Sequence, residues 1–253
     1  MLILSLFPGV DLLGKGFEDE GFCIVRGPDL IFGGDVYHFV PPPERFDGVI
    51  GGPPCQLFSG INRSRNPEQG MELVNQFIRI VKQARPQFWL MENVGGIPDI
   101  HIPGYSWQRL DLRANWFGLA QSRKRYIQFG HRDNLVLTVE PSHIVPATEP
   151  ICLASEGQRT DRRGWSEFCQ LQGLPRSFDL PSFSLSAKYK AVGNGVPVPM
   201  ARALARGIKT LRSDVTVCDC GCGRAVTGKA FTAGPACRKR LQRRREKCDA
   251  PEL

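Results

Sequence analysis

The sequence lacks any run of about 20 apolar residues, the length that a membrane-spanning helix requires. Its opening residues, MLILSLF, have no basic region before them and no cleavage signal after them, so we expect no secretory leader. No internal repeat is present, and no Gly-x-Gly-x-x-Gly motif follows the first apolar run, which disfavours a dinucleotide site. These absences predict a cytoplasmic globular protein.

Cysteine, in contrast, is abundant, with nine residues in a chain of 253. A chain of this length buries roughly 70–75% of its unfolded surface and can fold without disulfides. In a reducing compartment cysteines act as nucleophiles, as metal ligands or as small core residues. We interpret Cys23, Cys152 and Cys169 as structural.

The formal net charge of +8 is concentrated near the C-terminus. Residues 212–253 contain ten Lys or Arg and five Asp or Glu, or +5, which leaves +3 for residues 1–211. A basic segment of this kind indicates either a nucleic-acid contact, driven by neutralisation of phosphates, or a solvated charged end.

Apolar segments followed by turn residues predict buried strands at residues 1–7, 22–25, 46–50 and 88–91. Apolar residues at three- and four-residue spacings predict an amphipathic helix at residues 72–85. Strands alternating with helices predict a largely parallel α/β sheet with helices on both faces. Beyond residue 131 the periodicity weakens, which predicts a smaller, loop-rich insertion before a helix that follows Pro197 and Pro199.

Three sequence features combine into a candidate catalytic site. Cys55 follows two prolines directly after a predicted strand, so its thiol is expected to be displayed rather than packed. A thiol needs an electropositive setting to act as a nucleophile, and Arg123 and Arg125 would point from one face of a strand. Glu92 follows another apolar strand, where a carboxyl group is either a general acid or an ordinary ion-pair partner.

Ordered motifs along residues 1–208 carry a family resemblance. They are Phe7-Pro8-Gly9, Gly34-Asp35-Val36, Pro53-Pro54-Cys55-Gln56, Glu92-Asn93-Val94, Gln121-Ser122-Arg123-Lys124-Arg125, Gln172-Gly173-Leu174-Pro175 and Gly193-Asn194-Gly195-Val196-Pro197. In this order and spacing the chain resembles a DNA (cytosine-5)-methyltransferase. The resemblance implies the Rossmann-like sheet of S-adenosylmethionine-dependent methyltransferases, with a small target-recognition insertion and a Cys-rich basic tail.

The resemblance also implies a mechanism. The Cys55 thiolate would attack C6 of a flipped-out cytosine, and Glu92 would protonate N3, which makes C5 nucleophilic toward the methyl group. Arg125, together with Arg123, would hold the cytosine O2 and orient Glu92, while Asn93 would support the loop that carries the cysteine. The segment 57–70, which includes Arg63 and Arg65, is the predicted lid over the DNA.

S-adenosyl-L-methionine is the implied cofactor. The residues that match the family's cofactor site are Phe7, Gly9, Asp11, Leu12, Asp29, Leu30, Asp35, Pro53, Asn194 and Val196. The family's usual Gly-x-Gly-Gly is here Gly9-Val10-Asp11-Leu12, and Asp29 stands where Glu is commoner. These departures indicate a variant cofactor loop.

Three regions are predicted on this basis. Residues 1–130 and 190–211 form the catalytic cofactor-binding domain, residues 131–189 a small target-recognition region, and residues 212–253 the basic tail. The region between the Arg pair and Gln172 would read the target, and its short length predicts a short target sequence or help from elsewhere. Its candidate contact residues are His131, Arg132, His143, Arg159, Arg162, Arg163 and Trp165.

The tail also contains closely spaced cysteines and a glycine turn. Cys218, Cys220, Cys222 and Cys237 are candidate ligands of a structural zinc ion, although their spacing fits no standard finger. The alternative is a flexible basic tail with exposed thiols. Residues 238–247 hold seven Lys or Arg and predict a basic helix that contacts phosphates.

The expected partner is double-stranded DNA, with no membrane and no obligate protein partner, in a prokaryotic or phage-infected cell. Two other functions stay open from the sequence: methylation of cytosine C5 in RNA, and a catalytically weak DNA-binding homologue. The presence of Cys55, Glu92, Arg123 and Arg125 disfavours the second, because a pure binder needs no thiol beside an acid.

Overall fold

A computed structural model of the chain describes residues 1–54, 67–220, 225, 226, 228 and 230–248, with the side chains of residues 67–69, 225 and 244–248 left out. The strands are β1 Leu2–Leu6, β2 Cys23–Arg26, β3 Gly48–Gly51, β4 Phe88–Asn93, β5 Gln108–Arg113, β6 Lys124–His131, β7 Thr216–Val217 and β8 Ala225–Val226. The helices are α1 Leu12–Glu18, α2 Pro67–Ala84, α3 Trp165–Leu171, α4 Leu185–Asn194, α5 Val198–Lys209 and α6 Pro235–Cys248.

Six strands form one sheet in the order β2-β1-β3-β4-β6-β5. The first four pair in parallel, whereas β6 is antiparallel to both β4 and β5. The sheet is therefore parallel from β2 to β4, in agreement with the predicted largely parallel sheet, and β6 is its antiparallel strand. The chain moves from β1 to β2 on one side and then to β3 on the other, and ligands of open α/β sheets gather at the carboxyl ends beside such a reversal.

The central strands β1, β3 and β4 are mostly apolar because both faces of the sheet are covered. Ile3 and Ile50 pack on the face occupied by α1 and α5, and Leu4 and Val49 pack on the face occupied by α2. Helix α1 lies close against α5, since a Cβ on Gly16 would lie 2.3 Å from the Cβ of Ala201. This packing holds the carboxyl ends of β1, β3 and β4 in a fixed arrangement.

The strand β5 and the helices α3 and α4 are absent from the sequence prediction. Strand β5 alternates polar residues with the buried Leu110 and Leu112, because it lies at the edge of the sheet. Helices α3 and α4 enclose a second core that contains Phe168 and Tyr189, so the predicted loop-rich insertion contains helices as well as loops.

The cysteines interpreted as structural divide into two groups. Cys152 and Cys169 are buried in the core beside α3 and α4. Burial raises the pKa of Cys152 to about 11 and that of Cys169 to about 12, so both stay neutral thiols at physiological pH. Cys23, in contrast, is exposed on β2 and takes no part in the core.

The C-terminal segment forms a short two-stranded ribbon, β7–β8, followed by α6. The basic helix predicted at residues 238–247 is present within α6. In the parts of the chain that the structure describes, no helix has both the length and the apolar character needed to cross a membrane.

Candidate functional site

A cavity of about 610 Å³ opens at the carboxyl ends of β1 and β3. Its volume lies in the range of about 300–1,000 Å³ that is typical of small-molecule sites. The cavity lining includes every residue of the predicted cofactor set: Phe7, Gly9, Asp11, Leu12, Asp29, Leu30, Asp35, Pro53, Asn194 and Val196. The fold therefore brings together residues that are up to 189 positions apart, and Glu92 lines the same cavity.

The first wall of the cavity is the turn from β1 into α1. Phe7, Gly9 and Asp11 have φ angles of 53°, 54° and 53°, so every second residue of this turn is left-handed. Asp11 caps α1, and its Oδ1 accepts hydrogen bonds from Gly14 N and Ser5 Oγ, both at 2.9 Å. Burial raises the pKa of Asp11, while these two hydrogen bonds lower it.

The carboxylate of Asp11 thus stabilises the turn. Ser5, which donates to Asp11, is the one polar side chain within the opening apolar run. This exception is the signal by which the sequence could have revealed the contact between Ser5 and Asp11.

Two further carboxylates shape the opposite wall. Asp29 Oδ2 accepts a hydrogen bond from Gly9 N at 2.8 Å, and its Oδ1 accepts one from Ile31 N at 2.9 Å. Asp35 Oδ1 accepts from Tyr37 N at 2.9 Å. Asp29 therefore connects the loop after β2 to the loop after β1, across the mouth of the cavity.

Glu92 lies near the end of β4 with its side chain buried. Its Oε1 forms an ion pair with Arg125 Nε at 2.6 Å. Burial raises the pKa of Glu92, and the charges of Arg125 and Arg123 act in the opposite direction. A carboxyl group with a raised pKa can keep a proton available at neutral pH, as a general acid must.

The loop that leads to Cys55 is attached beside Glu92. The side-chain amide of Asn93 donates a hydrogen bond to the Pro53 carbonyl at 3.0 Å. A Cβ on Gly52 would lie 2.9 Å from Glu92 Oε2, so this glycine permits the close approach of the loop to the carboxyl group. The turn residues that follow the apolar segment at residues 46–50 did not by themselves reveal this role of Gly52.

Cys55 itself lies outside the described residues. The same is true of Arg63 and Arg65 in the predicted lid. The last four residues assigned to that lid, 67–70, belong instead to the first turn of α2.

The two arginines of the Gln-Ser-Arg-Lys-Arg motif have different contacts. Arg125 NH2 donates to the Asn194 carbonyl at 3.2 Å in addition to its ion pair with Glu92. Arg123 donates to the carbonyls of Cys152 and Gly193, so its guanidinium group joins β6 to the second core. Its effect on Glu92 is that of a nearby charge.

Two buried glutamines extend this connection. Gln121 accepts a hydrogen bond from Cys152 N at 3.0 Å and donates to Gln172 Oε1 at 3.0 Å. Gln172 Nε2 in turn donates to the Val192 carbonyl at 2.7 Å. The motifs that contain these residues therefore hold the second core against the sheet, a role that the sequence did not reveal.

Several residues of the predicted target reader are occupied in internal contacts. Arg163 forms an ion pair with Glu156 at 2.5 Å, and Trp165 packs against Phe168 and donates to the Phe178 carbonyl. His131 is buried at the end of β6. These internal contacts stabilise the region itself.

Among the predicted zinc ligands, the structure brings Cys218, Cys220 and Cys237 together in a buried cluster. Cys222 lies outside the described residues.

Comparison with known proteins identifies the family. The profile of the C-5 cytosine-specific DNA methylases matches residues 40–157 and 155–210. The chain belongs to this family. It is 33% identical over 168 residues to the type II methyltransferase M.NgoPII of Neisseria gonorrhoeae, covering 53% of this chain and 49% of that protein. It is 32% identical over 166 residues to the type II methyltransferase M.FnuDI of Fusobacterium nucleatum, covering 53% and 48%.

The chain thus spans about half the length of these curated relatives. The fold matches the solved structure of the methyltransferase EhMeth of Entamoeba histolytica with a TM-score of 0.63 at 10% identity, covering 83% of this chain and 98% of that one. The methyltransferase fold class expected from the sequence is confirmed.

The cofactor of this family is S-adenosylmethionine, which confirms the expected cofactor. The cavity suits a molecule of this kind, since its lining combines apolar side chains with the carboxylates of Asp29 and Asp35. Carboxylates of this kind can accept hydrogen bonds from ribose hydroxyls and from an adenine amino group.

Replacement of Asp29 by alanine is expected to weaken S-adenosylmethionine binding by about 10- to 100-fold, because charge-assisted hydrogen bonds contribute about 1.5–3 kcal/mol. The Gly9 and Ile31 amides both lose their acceptor in this variant. Isothermal titration calorimetry measures the change. The matched control is Asp47→Ala, since Asp47 accepts from Leu2 N at 2.6 Å outside the cavity. Affinity within about twofold of wild type for Asp29→Ala would show that S-adenosylmethionine binding does not depend on this carboxylate.

Proposed function

We propose that the protein transfers the methyl group of S-adenosylmethionine to C5 of a flipped-out cytosine in double-stranded DNA, through a covalent Cys55 adduct at C6. The observation that carries the proposal is the arrangement around Glu92. A buried carboxyl group is paired with Arg125, lines the cofactor cavity and lies against the loop that leads to Cys55. An ordinary structural ion pair has no need of the last two features.

The chain's own residues divide the chemistry among them. The Cys55 thiolate forms a bond to C6, and the electron pair displaced from the C5–C6 double bond is stabilised when Glu92 delivers its proton to N3. S-adenosylmethionine supplies the methyl group to the nucleophilic C5. Removal of the C5 proton, departure of the thiolate and return of the N3 proton to Glu92 then restore the cytosine ring and the acid.

Arg125 and Asn93 position these groups. The Arg125 guanidinium pairs with Glu92 and donates a hydrogen bond to the Asn194 carbonyl. Its position is therefore set both by β6, which carries Arg125, and by the end of α4. We propose that it also meets the cytosine O2. Asn93 fixes Pro53, two residues before Cys55, and so limits where the thiol can go.

The base must leave the helix to reach this buried site. Glu92 has little exposure to solvent, so a cytosine stacked within a duplex cannot contact its carboxyl group. Base flipping costs about a few kcal/mol, which contacts to the flanking DNA must offset. We propose residues 131–189 as the region that supplies them, with residues 1–130 and 190–211 as the catalytic domain.

The basic helix α6 is a second proposed DNA contact. Arg238, Lys239 and Arg243 are exposed on it, and contacts from such residues to phosphates carry little sequence information. A DNA substrate further implies a cytoplasmic location in a bacterial or phage-infected cell.

Expression in a methylation-deficient bacterium is expected to place 5-methylcytosine in a short, defined sequence motif on a resident plasmid. Mapping at base resolution measures this. Cys55→Ser is expected to abolish the modification, because a hydroxyl group is a much weaker nucleophile at C6. Cys23→Ser makes the same substitution at an exposed cysteine outside the cavity and should leave the pattern unchanged.

Other outcomes would overturn parts of the proposal. Unmodified DNA together with 5-methylcytosine in cellular RNA would assign an RNA substrate. Equal methylation by Cys55→Ser would exclude the covalent mechanism, and a long asymmetric target would contradict the proposed small reader.

A further inference from the structure

Three cysteines that take no part in the proposed methyl transfer lie together in the C-terminal segment. The sulfur atoms of Cys218, Cys220 and Cys237 all lie within 4.8 Å of one another, and all three residues are buried. Cys218 directly follows β7, and Cys237 lies in the first turn of α6. We propose that these three residues bind a zinc ion as thiolates and so fasten the start of the basic helix α6 to the β7 segment.

The spacing of the sulfur atoms fits a tetrahedral metal. Zn–S bonds of about 2.3 Å place two sulfur ligands about 3.8 Å apart in a regular tetrahedron. Cys218 Sγ and Cys220 Sγ are 3.5 Å apart. A disulfide bond requires about 2.05 Å, so this pair is much nearer to the separation of two ligands of one ion.

Two of the three sulfurs lie in surroundings that suit a metal ligand. The backbone N–H of Ala233 donates a hydrogen bond to Cys218 Sγ at 3.2 Å, a contact that metal-bound sulfur commonly accepts. Cys237 lies at the N-terminal end of α6, where the helix dipole stabilises negative charge. Arg238 and Lys239 follow it on the exposed surface and add positive charge.

Among the described residues of the C-terminal segment, little else is available to form a core. The buried residues of this cluster are the three cysteines and Val226, packed against Trp116, Ala233 and Leu241. So few apolar side chains cannot offset the cost of ordering a helix as rich in Arg and Lys as α6. A bound ion supplies the missing free energy, as structural zinc does in other small modules.

Trp116 connects the cysteine cluster to the rest of the fold. It lies between β5 and β6 and packs both on the cysteine cluster and on the main core. The ion would therefore fix α6 relative to the methyltransferase sheet. Zinc requires a fourth ligand, and Cys222 stays the sequence prediction for it.

Metal analysis of the purified full-length protein tests the proposal. Inductively coupled plasma mass spectrometry is expected to find about one zinc ion per chain in the wild type and in Cys23→Ser. Cys237→Ser should hold less than about a tenth as much, because the site loses one of its thiolate ligands. Wild-type protein that contains no zinc, even after incubation with the metal and desalting, would overturn the site.

A second measurement does not depend on the folding of a variant. Wild-type protein stripped with a chelator and reloaded with Co²⁺ should show intense sulfur-to-cobalt charge-transfer absorption, which excess Zn²⁺ removes. Trypsin should cleave α6 faster in the stripped protein, while the fragment up to about residue 211 stays intact. Absorption by oxygen and nitrogen ligands alone, unchanged cleavage, a mass deficit from a disulfide, or an iron–sulfur cluster would each contradict zinc binding.

Failure of this proposal leaves the proposed methyl transfer standing. Metal content and cleavage of α6 report only on the cysteine cluster, whereas the plasmid methylation pattern reports on Cys55 and the cavity.

Discussion

Replacement of Glu92 by glutamine is expected to lower methyl transfer by about 10²- to 10⁴-fold, the range that a general acid contributes. Glutamine has nearly the same shape and can still accept from Arg125, which lies 2.6 Å from the carboxylate. It cannot deliver a proton to N3, so the charge that develops on the ring stays unstabilised. Transfer of radiolabelled methyl groups to plasmid DNA measures the rate, and calorimetry should show unchanged S-adenosylmethionine affinity.

The control for this variant is Glu44→Gln. Glu44 forms a surface ion pair with Arg85 at 3.4 Å, and such pairs contribute about 0–1 kcal/mol. Full activity in Glu44→Gln with a large loss in Glu92→Gln would assign the effect to the site. Activity of Glu92→Gln within about threefold of wild type would exclude Glu92 as the proton donor.

The pH dependence of stability should distinguish the wild type from Glu92→Gln. Burial raises the pKa of Glu92, so the folded state binds more protons than the unfolded state between the unfolded value of about 4.3 and the raised value. The free energy of unfolding of the wild type, relative to Glu92→Gln, should therefore fall as pH rises through this window. Denaturant titrations at a series of pH values measure the difference.

Replacement of Arg125 by methionine is expected to destabilise the fold by about 3–5 kcal/mol, the usual cost of leaving one partner of a buried ion pair uncompensated. The Glu92 carboxylate loses its partner, and the Asn194 carbonyl loses a donor. Removal of the opposing positive charge should raise the pKa of Glu92 further. We also expect activity per folded molecule to fall by at least about 100-fold, because Glu92 and the cytosine are no longer oriented.

A double-mutant cycle separates the two effects. Glu92→Gln/Arg125→Met should recover about 1–3 kcal/mol relative to the sum of the single variants, yet stay inactive. Arg109→Met is the matched control, since Arg109 pairs with Asp99 at 2.5 Å outside the cavity. It should lower stability while activity per folded molecule is unchanged. Equal loss of specific activity in Arg109→Met would show that the effect of Arg125 is only structural.

Much of the fold could be predicted because its strongest signals are local. Strands β1 to β4 are continuous apolar segments that end in turn residues, and α2 has an amphipathic repeat. Strand β5 carries no such signal, because it forms a strand only by pairing with β6, which comes later in the chain. Helices α3 and α4 were missed since their core forms from residues of separate segments.

The site shows the same division between local and distant information. Alternation predicts that Arg123, directly before β6, and Arg125, within β6, point from one face, and both donate to carbonyls at the end of α4. Alternation cannot say which of them meets Glu92. That choice depends on the register of β6 against β4 and on the carbonyls of Cys152 and Gly193, which take up Arg123.

The sequence by itself determined the chemical groups available, and the order and spacing of its motifs carried the family resemblance, which in turn implied the cofactor. Only the tertiary structure decided how those groups are shared between chemistry and support. Asp11 is bound by Ser5 and Gly14, and Arg125 is paired with Glu92. The pairing of Arg125 with Glu92 joins residues that are distant along the chain. The strength of all these contacts comes from burial, which exists only once the sheet and its helices have packed together.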